Sequence, residues 1–412
     1  MTDRPIRLGL PWRLHHYQPL NGAHPLVLSF LEGNGAVEPV AITPVAATVP
    51  RETQTRVLAR MTRQAHQVPD ELLTSFLDWL SLPDQVAIES QSSACDALFL
   101  HTTPLHAAST PWIFHFESFP SLFMPFMFTG QTRGIELRSQ GWFRQVRDRL
   151  ASSDCKRIFS HMRSSLQILT RVFDSADIAA KCHHVPLGMG LRDVAELLPK
   201  FEPGGRLRIL FTNSLHGNPG SFYLRGGHHL LEAFAQLRRH LPDAELTVLS
   251  AVPADLMARF PSSYFIGVNW INSRVDDATL DQLFLGHQLF ALPAAGLHSH
   301  SLLRAMAHGC VPIVSDALGY EEYTSGIEDS VLMVSGVRDM VYRDEPEGWV
   351  SDRYEPYLAP SPGFAQQIHD RIAECARPDR LREMALRNLE HCRRRYAVPA
   401  SHDAFNRMLQ GH

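Results

Sequence analysis

Short apolar runs alternate with longer stretches in which apolar residues recur at helical spacing. Ile6–Leu10, Val37–Ile42, Asp96–His101, Trp112–Phe116, Arg157–Ser160 and Cys182–Pro186 read as strands of a first half. Between them lie a helix starting in Leu26–Leu31, helical residues 51–82 broken at Pro69 and Pro83, and helices at Glu136–Leu150 and Arg163–Phe173. The stretch LPKFEPGGR at 198–206, with two prolines and two glycines, reads as a linker. Strands are then predicted at Leu207–Phe211, Ala244–Leu249, Tyr264–Val268, Leu289–Leu292, Val311–Val314 and Val331–Val334. Helices fall at His228–His240 and Ala278–Leu285, and over 363–410, whereas 336–362 is a polar insertion with little pattern. Strands alternating with helices in both halves predict α/β architecture: two doubly wound, Rossmann-like domains. The expected bounds are 1–198 and 207–390, joined by a linker at 199–206. A C-terminal helix in 391–412 is expected to pack back on the first domain.

Residues 287–326 form the most informative unit. Leu289–Leu292 closes on Pro293, the small-residue loop Ala294–His298 follows, and Ser299 or Ser301 can cap a helix. Leu302, Leu303, Met306 and Ala307 continue that helix, Gly309 stops it, and Val311–Val314 returns as a strand. In such a βαβ unit ligands sit at the carboxyl ends of the strands, and the N–H groups at the helix start favour an anion such as a diphosphate. The alternative is a βαβ unit with no ligand. In the first half, His101 and His115 lie at or next to strand ends and Glu117 follows, which makes a polar cluster; a structural histidine is the alternative at 101. The run FPSLFMPFMF at 119–128 is either buried or in contact with a lipid or the partner domain.

Composition narrows the class. A chain of 412 residues with 44% hydrophobic and 20% charged residues fits a two-domain globular protein. A formal net charge of −4 leaves no nucleic-acid footprint. Six cysteines stand singly with no C-x-x-C pair, which points away from zinc ribbons and disulfide frameworks and towards a reducing cytoplasm. No apolar run reaches 18 residues, and MTDRPIRLGLPW has no apolar core, so neither a membrane span nor a signal peptide is expected. G-x-G-x-x-G does not follow the first strand, and Asp-x-Asp occurs nowhere. His298 and His300 form a His-x-His pair with no third ligand at regular spacing, so no metal is expected there.

Several segments together resemble the GT-B fold glycosyltransferases, and most closely the retaining glycosyltransferase family 4. RLRILFTNS and RGGHHLLEAFAQLRRHLPDAELTVLS look like that family's first C-terminal strand and the helix after it. LFALPAAGLHSHSLLRAMAHGCVPIVSDALGYEE looks like its donor-binding unit, and KRIFSHMRSSLQIL and HHVPLGM resemble the end of its N-terminal domain. The likeness covers most of 150–335 and the C-terminal helices, and weakens over 1–150. It implies two Rossmann-like domains facing across a cleft. The family's Glu-x7-Glu pair, whose members contact the donor sugar and the nucleotide ribose, is replaced by Gly296 and Arg304. Arg304 could pair with a phosphate or with a nearby carboxylate. Of the family's basic pair, Arg225 matches the lysine, whereas the arginine position falls near Ser214. Glu322 matches the Glu of a turn in the donor unit, and His115 stands where the family keeps a histidine facing the donor sugar. Asn21-Gly22 lies where the first loop approaches the diphosphate, and Ser299 and His300 could offer N–H groups to phosphate.

The resemblance implies a metal-independent transferase of hexosyl type without a cofactor. It would move a sugar, with retention, from a nucleotide sugar to a glycan, lipid-linked or other acceptor, as in polysaccharide biosynthesis. His115 and Glu117 would act at the reacting centre. A cytoplasmic protein is expected, with 119–128 as the candidate for peripheral membrane contact. The loss of both acidic residues keeps a second reading open: a GT-B-like partner or scaffold without activity. A third is a different GT-B chemistry, an epimerase or hydrolase.

Overall fold

A computed structural model describes residues 4–19, 24–45, 49–66, 68–101, 103–123, 126, 136–213, 220–345, 348–351 and 354–411. Asn21, Gly22 and Ser214 lie outside the described residues. The chain divides into two compact units: Met1–Gly188 with Arg343–Asp352 and Val398–His412, and Met189–Tyr342 with Arg353–Ala397.

The first unit is built on β1 (Ile6–Leu10), β2 (Val37–Ala41), β3 (Ala97–His101), β4 (Trp112–His115), β5 (Cys155–Ser160) and β6 (Cys182–His184). Their order is β2-β1-β3-β4-β5-β6, with every pairing parallel. All four residues of β4 are buried, as expected of a strand covered on both faces. Three helices fill the space between β2 and β3: Arg51–Ala65, Asp70–Trp79 and Leu82–Ser92. Pro83 opens the third helix instead of breaking the pattern. It occupies the first turn, where its missing N–H has no intrahelical partner to lose, and Ser81 caps the end by accepting from the Asp84 N–H. The helix Val398–Gln410 completes this unit. Its Phe405 stacks on Phe30 at 5.1 Å and meets Phe159 at 5.5 Å. Gly188 is needed here, because a Cβ would stand 2.9 Å from the Val398 Cα.

The apolar run at 119–128 turns inward in its described part. Phe119, Leu122, Phe123 and Phe126 are buried, packed on Trp142, Phe143 and Phe173. These four rings and chains are core, not a membrane-facing surface; residues 124, 125, 127 and 128 lie outside the described set. Among the described residues no helix is long and apolar enough to cross a membrane.

The second unit carries β7 (Arg208–Thr212), β8 (Glu245–Leu249), β9 (Val268–Ile271), β10 (Leu289–Leu292), β11 (Val311–Ser315) and β12 (Leu332–Val334). Their order is β12-β11-β10-β7-β8-β9, again parallel, so strand order reverses between β7 and β10. β10 and β11 are buried throughout. β9 corrects the strand expected at Tyr264–Val268. Pro261 starts a 3-10 turn over Ser262–Phe265, Gly267 takes φ +78°, and only then does the chain extend. The insertion at 336–362 is also more ordered than its composition suggests. It holds a helix at Val337–Val341, a hairpin of Tyr342–Glu345 with Gly348–Ser351, and a short helix at Glu355–Leu358.

Truncating Phe405 to alanine removes a fully buried ring from an aromatic cluster. The expected cost is about 3–5 kcal/mol, read as a lower urea midpoint of the full chain at pH 7.5.

Candidate functional site

In an open parallel sheet, the crevice for a ligand opens where strand order reverses, at the carboxyl ends of the strands. In the second unit that point lies between β7 and β10. After β7 the chain runs to the helical turn Ser221–Leu224 and then to Arg225-Gly226-Gly227. Gly226 has φ +80°, and a Cβ on it would stand 2.4 Å from the Pro293 carbonyl oxygen and 2.5 Å from the Tyr357 hydroxyl. Only glycine lets this turn press against the loop that follows β10. The Ala295 N–H donates to the Leu224 carbonyl at 2.8 Å and closes the two segments together.

This closure leaves Arg225 facing the reversal point. Its Nη1 is 3.4 Å from the carbonyl oxygen of Thr212, the last residue of β7. No carboxylate of the described residues pairs with it. Burial lowers the guanidinium's pKa to about 10, offset in part by the Tyr320 hydroxyl. His298 lies in the same field, and burial together with the Arg225 charge pushes its pKa well below the usual 6.5. The helix Ser299–Ala307 begins beside it, with Leu302 N–H making its first turn to the His298 carbonyl. Ser299 is buried in that first turn and His300 is half-buried. A half-buried cation and a helix start thus share one end of the sheet, which is an arrangement suited to an anion.

Gly296 and Arg304 sit differently from each other. Gly296 is in the loop after β10, and a Cβ there would meet only the Tyr342 hydroxyl, at 3.6 Å. Arg304 points to the neighbouring helix Asp277–Gly286. It donates to Asp281 from Nε at 3.0 Å and from Nη2 at 2.6 Å, and to Asp277 from Nη1 at 3.1 Å. Asp281 also pairs with Arg192 and with His308 at 3.1 Å. Burial would raise the Asp281 pKa, but Arg304, His308 and Arg192 outweigh it and hold the carboxylate below its ordinary range. Of the two partners open to Arg304, phosphate or carboxylate, the structure supplies the carboxylate. Glu322 is half-buried in the helix Tyr320–Thr324, its carbonyl accepting from the Tyr396 hydroxyl at 3.4 Å.

In the first unit, histidines end four neighbouring strands. His101 ends β3 and His115 ends β4, in register; His161 follows β5 and His184 ends β6. His101 Nδ1 is 3.1 Å from the His115 carbonyl oxygen and 2.9 Å from His115 Nδ1. A carbonyl only accepts, so His101 Nδ1 carries its proton. His115 Nδ1 is then the acceptor, and His115 Nε2–H donates to His161 Nδ1 at 3.0 Å. His115, the expected sugar-facing group, is fully buried with both ring nitrogens occupied. Glu117 is half-buried beyond it, its carbonyl accepting from the Ser165 hydroxyl at 2.5 Å. Burial lowers His101 to about 4 and His115 well below 6.5, the latter helped by the adjacent imidazoles. The imidazoles run in line instead of converging, and among the described residues no group of three His, Cys, Asp or Glu is arranged to hold a metal.

Two cavities, of about 230 and 300 Å³, lie away from both places. One, lined by Leu207, Ala244 and Gln288, is at the amino ends of the strands; the other lies between Glu328–Met333 and Arg371–Met384. The cations near them are spent. Lys200 donates to the Phe284 and His308 carbonyls, and Arg206 pairs with Glu245. The reversal point, with its uncompensated Arg225, is the better candidate on charge.

No family model matches the sequence, and no curated protein matches it. Solved structures do. HepE from Anabaena, in complex with UDP and glucose, aligns over 91% of this chain and 87% of its own at 12% identity and a TM-score of 0.55. Trehalose-6-phosphate synthase from Burkholderia multivorans aligns over 98% and 95% at 12% identity, with a TM-score of 0.59. A glycosyltransferase from Rickettsia africae aligns over the full length of both chains at 9% identity, with a TM-score of 0.56. The chain has the GT-B fold. At these identities the likeness speaks for architecture, so the site residues rest on the geometry above.

Sequence reasoning singled out Arg225, Gly296 and His115 but missed Tyr320, Tyr342 and Tyr357, which approach the β10 loop from distant segments. It also missed His161 and His184. A signal for those two existed, since a histidine ends or directly follows each of four consecutive strands.

The imidazole chain sets a pH dependence. His101 and His115 stay neutral in the fold while their unfolded pKa is near 6.5, so stability is full above that value. As pH falls from 6.5 towards 4, the unfolded chain takes up protons that the fold refuses. The expected loss is up to ~1.4 kcal/mol per pH unit for each such imidazole. Urea titrations at pH 7.5, 6.0 and 5.0 check this, and His115→Gln should flatten the slope. Arg304→Glu places a third carboxylate beside Asp277 and Asp281, and should lower stability by about 2–3 kcal/mol in the same assay at pH 7.5.

Proposed function

We propose that this chain is a glycosyltransferase that binds a nucleotide sugar in its second unit. The observation that carries the reading is Arg225, a half-buried guanidinium without a carboxylate partner among the described residues, beside the start of the helix Ser299–Ala307. A cation partly withdrawn from water, with no carboxylate of the described residues beside it, is costly to leave unpaired, and a diphosphate would supply the charge. The GT-B fold, and the UDP and glucose held by the HepE structure, support a nucleotide sugar as the source of that diphosphate.

In the reaction proposed, the bond between the anomeric carbon and the diphosphate oxygen breaks and its electron pair leaves with the diphosphate. The acceptor oxygen bonds to the anomeric carbon, and its proton passes to the leaving phosphate. Charge builds up on the diphosphate as this happens, and a fixed cation stabilises the charged state more than the ground state. Arg225 has that role, with the helix start contributing its field. The resemblance to family 4 supports retention, a hexosyl unit, no metal at the diphosphate and a glycan or lipid-linked acceptor. It also supports a cytoplasmic setting, and Asn21, Gly22, Ser214 and Glu322 as further donor contacts.

One observation favours the second reading, a GT-B-like scaffold without activity. Gly296 has no side chain and Arg304 is engaged with Asp281, so neither position offers a free carboxylate. Turnover separates the readings: a scaffold that binds nucleotide releases none from a nucleotide sugar in the presence of acceptor glycans.

Arg225→Ala is expected to weaken nucleoside diphosphate binding by about 1.5–3 kcal/mol, roughly tenfold or more in Kd, in calorimetry of the full chain. Unchanged affinity would remove Arg225 from the site.

A further inference from the structure

The loop after β10 gives its backbone acceptors to side-chain hydroxyls, one after another. The Leu292 carbonyl accepts from the Tyr320 hydroxyl at 3.4 Å, and the Pro293 carbonyl from the Tyr357 hydroxyl. The Ala294 carbonyl accepts from the Ser315 hydroxyl at 2.5 Å, and the Ala295 carbonyl from the Tyr342 hydroxyl at 3.3 Å. The N–H groups of Ala294 and Ala295 go to the carbonyls of Leu292 and Leu224. Each backbone carbonyl from Leu292 to Ala295 therefore already accepts a hydrogen bond from within the unit.

Tyr342 differs from the other three hydroxyl donors. Tyr320, Tyr357 and Ser315 are fully buried, whereas Tyr342 is half-buried. Its hydroxyl oxygen also overhangs Gly296, 3.6 Å from where a Cβ would be. Its placement is well supported. Asp316, just after β11, accepts from the N–H groups of Gly336, Val337 and Arg338 and so caps the helix Val337–Val341, which delivers Tyr342 at its end.

A phenol carries one proton. With that proton given to Ala295, the Tyr342 oxygen turns its lone pairs outward as acceptors. Burial keeps the phenol neutral, well above its ordinary pKa. The Arg225 guanidinium and the N–H groups of the helix start, which face the same reversal point, can only donate. A sugar is an array of hydroxyl donors, and a site that distinguishes it must supply acceptors.

We propose that Tyr342 is a specificity-determining residue whose hydroxyl oxygen accepts a hydrogen bond from a hydroxyl of the donor's sugar across Gly296. This rests on the donor-site reading above. Tyr357 is a positioning residue of the same loop and does not meet the sugar.

Calorimetry on the full chain with UDP, GDP and ADP, and with their glucose conjugates, tests it. In Tyr342→Phe, the affinity for the bare diphosphate should stay within about twofold of the parent, while that for the glucose conjugate falls about tenfold. Gly296→Ala puts a methyl group between the same partners without strain at φ, and should reproduce this split. Tyr357→Phe should weaken diphosphate and conjugate by one common factor. If Tyr342→Phe changes both ligands equally, or neither, Tyr342 does not read the sugar and the inference fails. If the parent chain binds none of the six ligands, the donor-site reading itself has failed, which is a different result.

Discussion

A half-buried guanidinium that meets no carboxylate among the described residues has to be held in place by the structure around it. Arg225 is held by a turn that only glycine can make. Gly226 takes a left-handed conformation and lies against the Pro293 carbonyl and the Tyr357 hydroxyl, at distances that leave no room for a Cβ. That contact brings the end of β7 against the end of β10 and aligns Arg225 with the start of the helix Ser299–Ala307. The hydroxyl contacts on the β10 loop, including that of Tyr342 to the Ala295 carbonyl, depend on this loop being where it is.

The two units share a parallel architecture with different strand orders, and they fill the carboxyl ends of their strands in different ways. Both sheets are six-stranded and parallel, with one reversal of strand order. The second unit concentrates positive charge at its reversal point. The first fills the same end of its sheet with imidazoles kept neutral by burial, linked by hydrogen bonds of defined direction. A neutral imidazole can donate and accept at once, so a row of them satisfies its members without charge.

Much of this was legible in the sequence. Leu289–Leu292 and Val311–Val314 were plain because central parallel strands are apolar on both faces. Arg163–Phe173 was found at its own bounds because its apolar stripe has a clean helical period. Tyr264–Val268 misled because YFIGV is apolar enough for a strand, and the pattern carries no sign that Gly267 must turn first. The polar hairpin at 342–351 was missed because alternation fades when few of its residues are large and apolar. At the site, Arg225 was legible from its place before two glycines. The partner of Arg304 was not named, although Asp277 and Asp281 are four residues apart on one helix face and form an obvious acidic pair once the helices are set side by side. The three tyrosines were out of reach, since they converge from positions 320, 342 and 357 with no periodicity to join them.

The aromatic cluster around Phe405 has a consequence for biosynthesis. Phe30, Phe99 and Phe159 all emerge from the ribosome long before the ring that packs among them, which stands at position 405. The first unit also waits for Arg343–Asp352. The second unit needs nothing beyond Ala397, so the part translated later can be finished first. Until the last helix arrives, the early sheet leaves an apolar slot open, and a nascent chain in that state is the form most in need of a chaperone.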